Sequence, residues 1–317
     1  MPLLVAFLAD LCVGDPVYWY HPARIMGKII EQGEKFLRRY IYAEKLAGAL
    51  LAVSFPILVF CFMWGLLFWV GKINFILAQI INILGIYTSI SIHDLKKEAK
   101  QIFLDLGNKD LDKARSDLAR IVGRDTAHLD EQEIVRATVE TVAESTVDGI
   151  VAPLFYAALG GAPLALAYKA INTLDSMIGH MNERYRDFGF VAAKQDYWVN
   201  WIPARLSYVL IGMASFLIKA RARSAWTVGW KDGMLSGENS SIPEATTAGA
   251  LGVRLGGCNM YAGRLVQKPF LGTPDRLLNV HTILESTQLM VVSAWLTLLM
   301  CLMIYGGITT GYGTHGR

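Results

Sequence analysis

Charged residues are scarce in this 317-residue chain: Asp, Glu, Lys and Arg make up 18% of it, whereas 53% is hydrophobic. Soluble domains carry about a quarter charged residues. The shortage therefore argues against an ordinary soluble protein and, with a mean hydropathy of +0.36, indicates a membrane protein. The net charge of +3 is too small to predict binding to nucleic acid.

Other patterns are also missing. The four cysteines form no CxxC or zinc-ligand spacing, which leaves buried free thiols as the expectation. The N-terminus has no basic stretch before its apolar run and carries Asp10 within that run, so a cleaved signal peptide is not expected. No strand-like alternation of any length occurs, which predicts helices throughout. No internal repeat occurs either, and this argues against a transporter, because transporters usually show paired repeats.

Long apolar runs predict the membrane helices. Residues 46–70 carry no charge and are long enough to cross a bilayer with some tilt. Residues 73–92 follow after Gly71-Lys72, so the two runs indicate a hairpin. Residues 149–171 are apolar but broken at 160–163, the sequence GGAP, and a broken helix is tolerated at membrane depth where it lines a protein cavity.

The predicted fold is an all-α, polytopic integral membrane protein with about four to six membrane segments, including broken or re-entrant helices and polar helical cytoplasmic loops. We predict a single domain over residues 1–317. Its parts are a transmembrane hairpin at 46–92, a polar helical insertion at 93–148, broken membrane helices with a polar site at 149–218, a Gly-rich polar loop region at 219–285 and a last transmembrane helix at 289–308.

Three carboxylates, Glu140, Glu144 and Asp148, recur every four residues just before the apolar run at 149. On a helix this spacing stacks them on one face, where like charges repel unless a cation, a bound metal or a raised pKa relieves them. Ionisable groups beside or within membrane segments usually line a polar cavity and are functional. The alternative is a solvated helix end at which Arg136 pairs with Glu140.

Basic residues predict the orientation. Residues 14–45 and 93–148 are both rich in Lys and Arg, so both are expected on the cytoplasmic side, consistent with the hairpin between them. Acids and bases balance over residues 172–198, and charge does not decide the side of that segment.

Five sequence blocks occur in order over nearly the whole chain. They are GDPxxxxHPxRxxG at 14–27, LARIVGRDT at 118–126, VETVAESTVDGIVAPLFYAALGGAPLALAYKAINTLDSMIGHMNERY at 139–185, NWIPARL at 200–206 and PEAxxAGALGVRLGG at 243–257. These blocks resemble the adenosylcobinamide-phosphate synthases of cobalamin biosynthesis, the CobD/CbiB family of integral membrane proteins. The long central block is very specific to that family.

The resemblance implies an ATP-dependent amide ligation in cobalamin (vitamin B12) biosynthesis. The free propionate carboxylate of the corrinoid adenosylcobyric acid is joined to the amine of aminopropanol phosphate, or a close analogue, to give adenosylcobinamide phosphate. Condensing a carboxylate with an amine in water is uphill, so the expected route is an acyl phosphate that the amine attacks, with ATP as co-substrate and Mg²⁺ as cofactor.

The resemblance also implies a multi-pass protein of the cell membrane with its active site on the cytoplasmic side, where ATP is found. Residues 172–198 are then expected to face the cytoplasm or open to it, and residues 149–171 to be re-entrant or folded at their break. Membrane lipid and other membrane enzymes of cobalamin assembly are the expected partners.

The resemblance, together with the chemistry of the side chains, gives the candidate site. Mg²⁺ takes one or two carboxylates plus substrate phosphates, and the predicted metal ligands are Glu140, Glu144, Asp148 and Asp175. Phosphates need cations and polar donors. The predicted binding residues are His21, Arg24, Arg124, Lys169, Asn172, Arg184, Arg205, Asn239, Glu244 and Arg254. For the arginines, anchoring at the membrane interface is the alternative.

The predicted catalytic residues are His180, Glu144 and Asp148. An imidazole titrates near neutral pH and can accept a proton from the attacking ammonium. On a continuous helix, His180 would share a face with Lys169, Asn172 and Ser176. For His180 and for His21, a structural hydrogen bond is the alternative.

One stretch is a weak candidate for a phosphate-binding loop, and two positions depart from the sequence pattern of the family. Residues 249–263 resemble a phosphate-cradling loop and offer Arg254 and Asn259 as binding candidates, but they lack a Walker pattern, and close helix packing explains the glycines equally well. Ser145 replaces the family's usual Asn, and residues 238–245 replace its usual PNAGWPEA. We expect 238–245 to be a flexible loop in which Asn239 and Glu244 contact a polar substrate group and Ile242 sets the fit of the amino-alcohol.

Two other functions stay open at this point. Charges within broken helices also describe transporters and channels, which substrate flux without ATP turnover would indicate. A non-catalytic membrane relative that kept the fold and lost the site is the other alternative, because of the changes at Ser145 and at 240–242.

Overall fold

The computed structural model describes residues 2–14, 21–180, 182–261 and 263–313, with only the backbone described over 307–313. Its helices are α1 Pro2–Val13, α2 Pro22–Tyr40, α3 Glu44–Ile73, α4 Phe75–Tyr87, α5 Ile92–Gly107, α6 Leu111–Leu118, α7 Glu131–Thr146, α8 Ala152–Ile178, α9 Phe190–Val199, α10 Trp201–Leu217, α11 Ala222–Val228, α12 Ser241–Leu251 and α13 His281–Gly313. Two π-helical turns, Val147–Val151 and Gly229–Met234, and two strands, β1 Leu255–Tyr261 and β2 Arg264–Leu271, complete the set.

The all-α membrane fold predicted from hydropathy is confirmed. Four helical stretches are long and apolar enough to cross a membrane, judged by length and composition: Glu44–Ile73, Phe75–Gly107, Glu131–Ile178 and His281–Gly306. Two shorter apolar helices, α1 and α10, accompany them. Pro203 does not interrupt α10, because it lies in the first turn, where no intrahelical N–H is needed.

Two local predictions were wrong. The first hairpin does not turn at Gly71-Lys72: α3 continues through both residues, and the turn is at Asn74, whose side chain accepts a hydrogen bond from Leu77 N and caps α4. The expectation of no strands failed as well, since β1 and β2 form an antiparallel hairpin. Its strands are rich in Gly and basic residues, and they do not alternate in the way that marks a half-buried strand.

The chain divides into two compact units. The first comprises residues 1–91, 152–202 and 298–317, and the second comprises 92–151 and 203–297. The single domain over the whole chain stays a prediction.

The first unit is built on α3 and α8, against which α1, α2, α4 and α9 pack. The predicted break in α8 is present: Gly160 and Gly161 have non-helical dihedral angles, with φ at +65° for Gly161. Asn82 Oδ1, on α4, accepts a hydrogen bond of 2.9 Å from Ala162 N, so a side chain caps the helix that restarts after the break.

The second unit is built around α7 and α12. The Asp130 side chain accepts from Glu133 N, and the Glu133 side chain accepts from Asp130 N, which is a capping box that fixes the start of α7. Helix α12, every residue of which is buried, packs against α7, α11 and the second π-turn. The β-hairpin contacts both α7 and α12.

Candidate active site

The residues predicted from the sequence fall into two groups, one in each unit. The second unit holds Arg124, Glu140, Glu144, Asp148, Arg205, Asn239, Glu244 and Arg254. The first holds His21, Arg24, Lys169, Asn172, Asp175, His180 and Arg184.

A buried ion pair organises the group in the second unit. Arg124, between α6 and α7, donates from Nη2 to Glu140 Oε2 and from Nη1 to Asn259 Oδ1, the latter at 2.8 Å. The other oxygen of Glu140 accepts 2.8 Å from Gly256 N. Arg124, Glu140 and Asn259 are all buried. Loss of either charge would leave the other charge buried and unpaired, which is strongly destabilising.

The β-hairpin is fastened to α7 through a glycine. Arg136, one turn before Glu140, donates to the carbonyl oxygens of Gly256 and Cys258. One face of α7 thus binds both the N–H and the C=O of Gly256. That glycine has φ +80°, and a Cβ there would lie 2.1 Å from the Pro269 carbonyl oxygen, so only glycine fits.

The Gly-rich stretch 249–263 is therefore not a phosphate-cradling loop. It forms the end of α12 and then β1, and the Gly256 N–H that a phosphate would need is already given to Glu140. Close helix packing was the other explanation for the glycines of this stretch. In the structure, Gly256 instead allows strand β1 to lie against α7. Asn259 belongs to the site through the two arginines: its Oδ1 accepts from both Arg124 and Arg136.

Three charged side chains lie within electrostatic range beside this ion pair. Glu244, on α12, is 4% exposed. Glu144 is exposed one turn after Glu140, and Lys268, on β2, is half-buried. Burial and then the charge of Glu144 raise the pKa of Glu244 to about 8. Burial alone would lower the pKa of Lys268, but Glu244 and Glu144 outweigh it and hold that pKa above its usual value. The sequence did not single out Lys268, which lies outside every block.

Asp148 lies in the π-turn between α7 and α8 and is half-buried. Such turns are rare and occur often at functional sites. Asp148 therefore follows Glu144 across the junction between α7 and the π-turn.

Residues 238–245 do not form the flexible loop that was expected. From Ser241 onward they are the buried helix α12, and Ile242 packs in a core with Val147 and Ala204. The Ile242 side chain is 1% exposed, so it is a core residue and not part of an exposed loop surface. Asn239 accepts 3.0 Å from Arg205 Nη1. Arg254 is exposed, and its guanidinium lies over the ring of Phe270.

In the first unit, α8 and α9 share a polar network. Tyr168 OH donates 3.0 Å to Asn200 Oδ1, and Asn200 Nδ2 donates 3.0 Å to Asp196 Oδ2. Asn172 Nδ2 lies 3.5 Å from Asp196 Oδ1. Asn172 was predicted, whereas Asp196 and Tyr168 were missed. An acid followed by two aromatic residues, just before the block at 200–206, was the available signal.

Four other predicted residues of the first unit are His180, His21, Arg184 and Arg24. Helix α8 ends at Ile178, so the exposed His180 is not on its face, contrary to the helical spacing assumed for it. His21 Nδ1 accepts a hydrogen bond from Ala23 N and caps α2. This is the structural hydrogen bond that was the alternative to a functional role for His21. Arg184 donates 3.0 Å to the buried Glu34 on α2. Arg24 is exposed.

The carboxylates that are available as ligands determine how Mg²⁺ could bind. Among the described residues, no group of three or more His, Cys, Asp or Glu side chains is placed to hold a metal ion. Both oxygens of Glu140 accept hydrogen bonds, whereas Glu144 is exposed. One or two carboxylates suffice for Mg²⁺ when substrate phosphates complete its shell. The residues therefore fit an ion that is bound together with a phosphate at Glu144, and they do not form a closed protein cage.

Comparison with known proteins places the chain among its relatives. The family model described as CobD/Cbib protein matches residues 3–290. A cobalamin biosynthesis protein CobD of Clostridium perfringens is 41% identical over 95% of this chain and 96% of its own length. A CobD of Yersinia enterocolitica is 43% identical over 93% and 94%, and a cobalamin biosynthesis protein CbiB of Salmonella typhi is 40% identical over 96% and 97%. No solved structure matches the chain significantly.

Proposed function

This chain belongs to the CobD/CbiB protein family, and from that membership we propose that it is the enzyme that joins adenosylcobyric acid to aminopropanol phosphate, or a close amino-alcohol phosphate. ATP supplies the driving force, and the product is adenosylcobinamide phosphate. The relatives are named for cobalamin biosynthesis, and the ligation itself is our proposal.

The observation that carries the proposal is the charge cluster of the second unit. An amide ligase must bind phosphate groups, hold an ammonium and take up its proton. Here Arg124 and Lys268 supply positive charge, Glu144 is an exposed carboxylate, and Glu244 is a buried carboxyl with a pKa raised to about 8. A titration close to neutrality suits proton transfer.

Each group has a role in this scheme. Bound together with ATP, Mg²⁺ would neutralise phosphate charge during transfer of the γ-phosphoryl group to the corrinoid carboxylate. Glu144 would hold that ion, and Arg205, in the same unit, is the further phosphate-binding candidate. Arg124, whose guanidinium is occupied by Glu140 and Asn259, orders the cluster and adds positive charge to it. We place this site on the cytoplasmic side of the cell membrane, where ATP is available.

A direct assay tests the proposal. Protein purified in detergent is incubated with adenosylcobyric acid, ATP, Mg²⁺ and aminopropanol phosphate, and the products are analysed by mass spectrometry. We expect adenosylcobinamide phosphate together with ADP and inorganic phosphate in equal amounts, and no product without ATP. Absence of the amide product from folded protein at every Mg²⁺ concentration would refute the proposal, and flux of the corrinoid into proteoliposomes without ATP turnover would favour a transporter.

A further inference from the structure

We propose that Glu244 and Lys268, beside the carboxylate of Glu144 that is proposed to hold Mg²⁺, form the subsite for the amino-alcohol phosphate, with the ammonium group at Glu244 and the phosphate at Lys268, and that Glu244 accepts the proton of the ammonium. This inference rests on the ligation proposed above. It adds a residue, Lys268, that the sequence blocks do not contain.

The first argument is the arrangement of charge. Lys268 lies within electrostatic reach of Glu244 and Glu144, yet no direct ion pair or hydrogen bond joins any of the three side chains to a described residue. Opposite charges in a desolvated position normally close into contact. A small molecule that carries one positive and one negative end would fill such a gap and satisfy both ends, and an amino-alcohol phosphate is such a molecule.

The second argument is the gradient of burial. Glu144 is exposed, Lys268 is half-buried and Glu244 is 4% exposed. The cluster is thus accessible from the Glu144 side and desolvated at Glu244. A buried carboxyl without a hydrogen-bonding partner is costly, and its retention is explained if an ammonium binds there.

The third argument is an unsatisfied donor beside the cluster. Asn259 is 3% exposed, and its Nδ2 has no hydrogen-bond acceptor in the described part of the chain. The Oδ1 of the same side chain is held by Arg124, which is itself in electrostatic range of Glu244. Buried amide donors are nearly always bonded, so this one indicates an acceptor oxygen from outside the chain, as a phosphate or a substrate carbonyl would provide.

The chemical step follows from these positions. The ammonium nitrogen gives its proton to an oxygen of Glu244, and the freed electron pair attacks the carbonyl carbon of the corrinoid acyl phosphate. The C–N bond forms, the C–O bond to the phosphoryl group breaks, and inorganic phosphate leaves with the electron pair of that C–O bond. The nitrogen loses its second proton to the departing phosphate, which leaves the neutral amide. ATP has supplied the phosphoryl group beforehand and left as ADP.

Hydroxylamine provides the test for Glu244. It is largely uncharged at neutral pH and traps acyl phosphates as hydroxamates without needing a base. We expect Glu244→Gln to lower the rate of amide formation by about 100-fold or more, while ATP-dependent hydroxamate formation from adenosylcobyric acid stays near the wild-type rate. Glu131→Gln, an exposed carboxylate at the start of α7, is the matched control and should change neither rate.

The outcomes separate the two proposals. If the wild type forms neither amide nor hydroxamate, the ligase function fails. If the wild type is active and Glu244→Gln either keeps full amide formation or loses both products equally, the assignment of Glu244 as the base is overturned.

A substrate comparison tests Lys268. We expect Lys268→Met to raise KM for aminopropanol phosphate by about tenfold or more, as loss of a charged hydrogen bond does, with KM for ATP unchanged. Aminopropanol without its phosphate should be used equally by wild type and Lys268→Met, and Lys268→Arg should restore most of the affinity. Lys97→Met, an exposed lysine of α5, is the control. A KM increase of the same size for the unphosphorylated amine would mean that Lys268 is only a structural counter-ion, and it would overturn the subsite.

Discussion

At the scale of single residues, Glu244 makes stability depend on pH. The charged and titratable groups that face it or its cations are Glu140, Glu144, Arg124, Lys268 and Tyr261. An acid whose pKa is raised on folding contributes stability at low pH that is lost as the pH rises through the folded-state pKa. The pKa of Glu244 is about 8 in the folded chain, against an ordinary value of 4.5. We expect the melting temperature in detergent to fall between about pH 5 and pH 9, and Glu244→Gln to flatten this fall. A variant curve that stays parallel to the wild type would contradict the assignment, and Glu131→Gln should follow the wild type.

The sequence predicts part of the site because some residue types are informative without their surroundings. Acids beside an apolar run are costly, so Glu140, Glu144 and Asp148 could be found from the sequence. What each one does depends on contacts made far along the chain. Glu140 is engaged by Arg124 and by Gly256, 116 residues away, and no spacing rule predicts that. Lys268 is a basic residue on an exposed-looking strand, and only the fold places it near Glu244.

At the scale of elements, the break in α8 requires glycine. Gly161 has φ +65° and ψ −156°, a region that is essentially restricted to glycine. A Cβ there would also lie 2.9 Å from Asn82 Oδ1, the atom that caps the second limb of the helix. We expect Gly161→Ala to destabilise the protein by about 1–3 kcal/mol, measured by thermal unfolding in detergent.

The control for that variant is Gly65→Ala. Gly65 lies within α3, and a Cβ there would contact nothing within 4 Å. Alanine is a better helix former than glycine by about 0.5–1 kcal/mol, so this variant should be as stable as the wild type or more so. Equal behaviour of the two variants would show that the break at Gly161 is not a conformational requirement.

Helix α12 gives a second prediction at this scale. Ile242 is 1% exposed and packs with Val147, Ala204, Tyr208 and Met234. Replacing it with Trp, the residue usual in the family, overfills this core, and we expect a loss of about 1–3 kcal/mol with Ile242→Val as the milder comparison. The ratio of products from aminopropanol phosphate and ethanolamine phosphate in competition should not change. A changed ratio at unchanged stability would restore Ile242 as a residue that sets substrate fit.

Hydropathy predicted the long helices well because burial in a bilayer requires long apolar runs, whatever their neighbours. The break in α8 was predicted from the residue types at 160–163, and Gly160 and Gly161 do have non-helical dihedral angles there. The β-hairpin was missed because its strands are stabilised by Arg136 and Glu140 of α7, a tertiary interaction, and not by alternation of apolar residues. The end of α8 before His180 was missed because the four-residue spacing from Ser176 to His180 also fits a continuous helix.

At the scale of the whole molecule, sidedness follows from a contact within the first unit. Arg184, in the segment between α8 and α9, donates to Glu34 of α2, and Arg38 of α2 donates to the Arg184 carbonyl oxygen at 2.8 Å. That segment must therefore lie on the same side of the membrane as α2, which belongs to the basic region 14–45. The positive-inside rule predicts that this region is cytoplasmic, and the contact extends that prediction to residues 172–198, whose side charge alone could not decide.

The same reasoning predicts that α8 is re-entrant. Basic residues over 93–148 place the start of the apolar segment on the cytoplasmic side, and its end at Ile178 must return to that side to reach Arg184. Residues 152–160 extend only about 14 Å as a helix, less than half of a hydrocarbon core of about 30 Å. A first limb of that length enters the membrane without crossing it, and the glycine break lets the second limb return.

Cysteine labelling in intact cells measures this topology. Arg186→Cys lies in the segment that follows α8, and Tyr42→Cys, at a position 96% exposed before α3, marks the side of α2. Both are made with the exposed Cys12, Cys61 and Cys258 replaced by Ser. We expect an impermeant maleimide to label neither variant from outside and both after the membrane is permeabilised, because the contact between Arg184 and Glu34 keeps the two positions on one side. Labelling of Arg186→Cys from outside, with Tyr42→Cys protected, would make α8 a complete crossing and would separate residues 172–198 from the ATP supply.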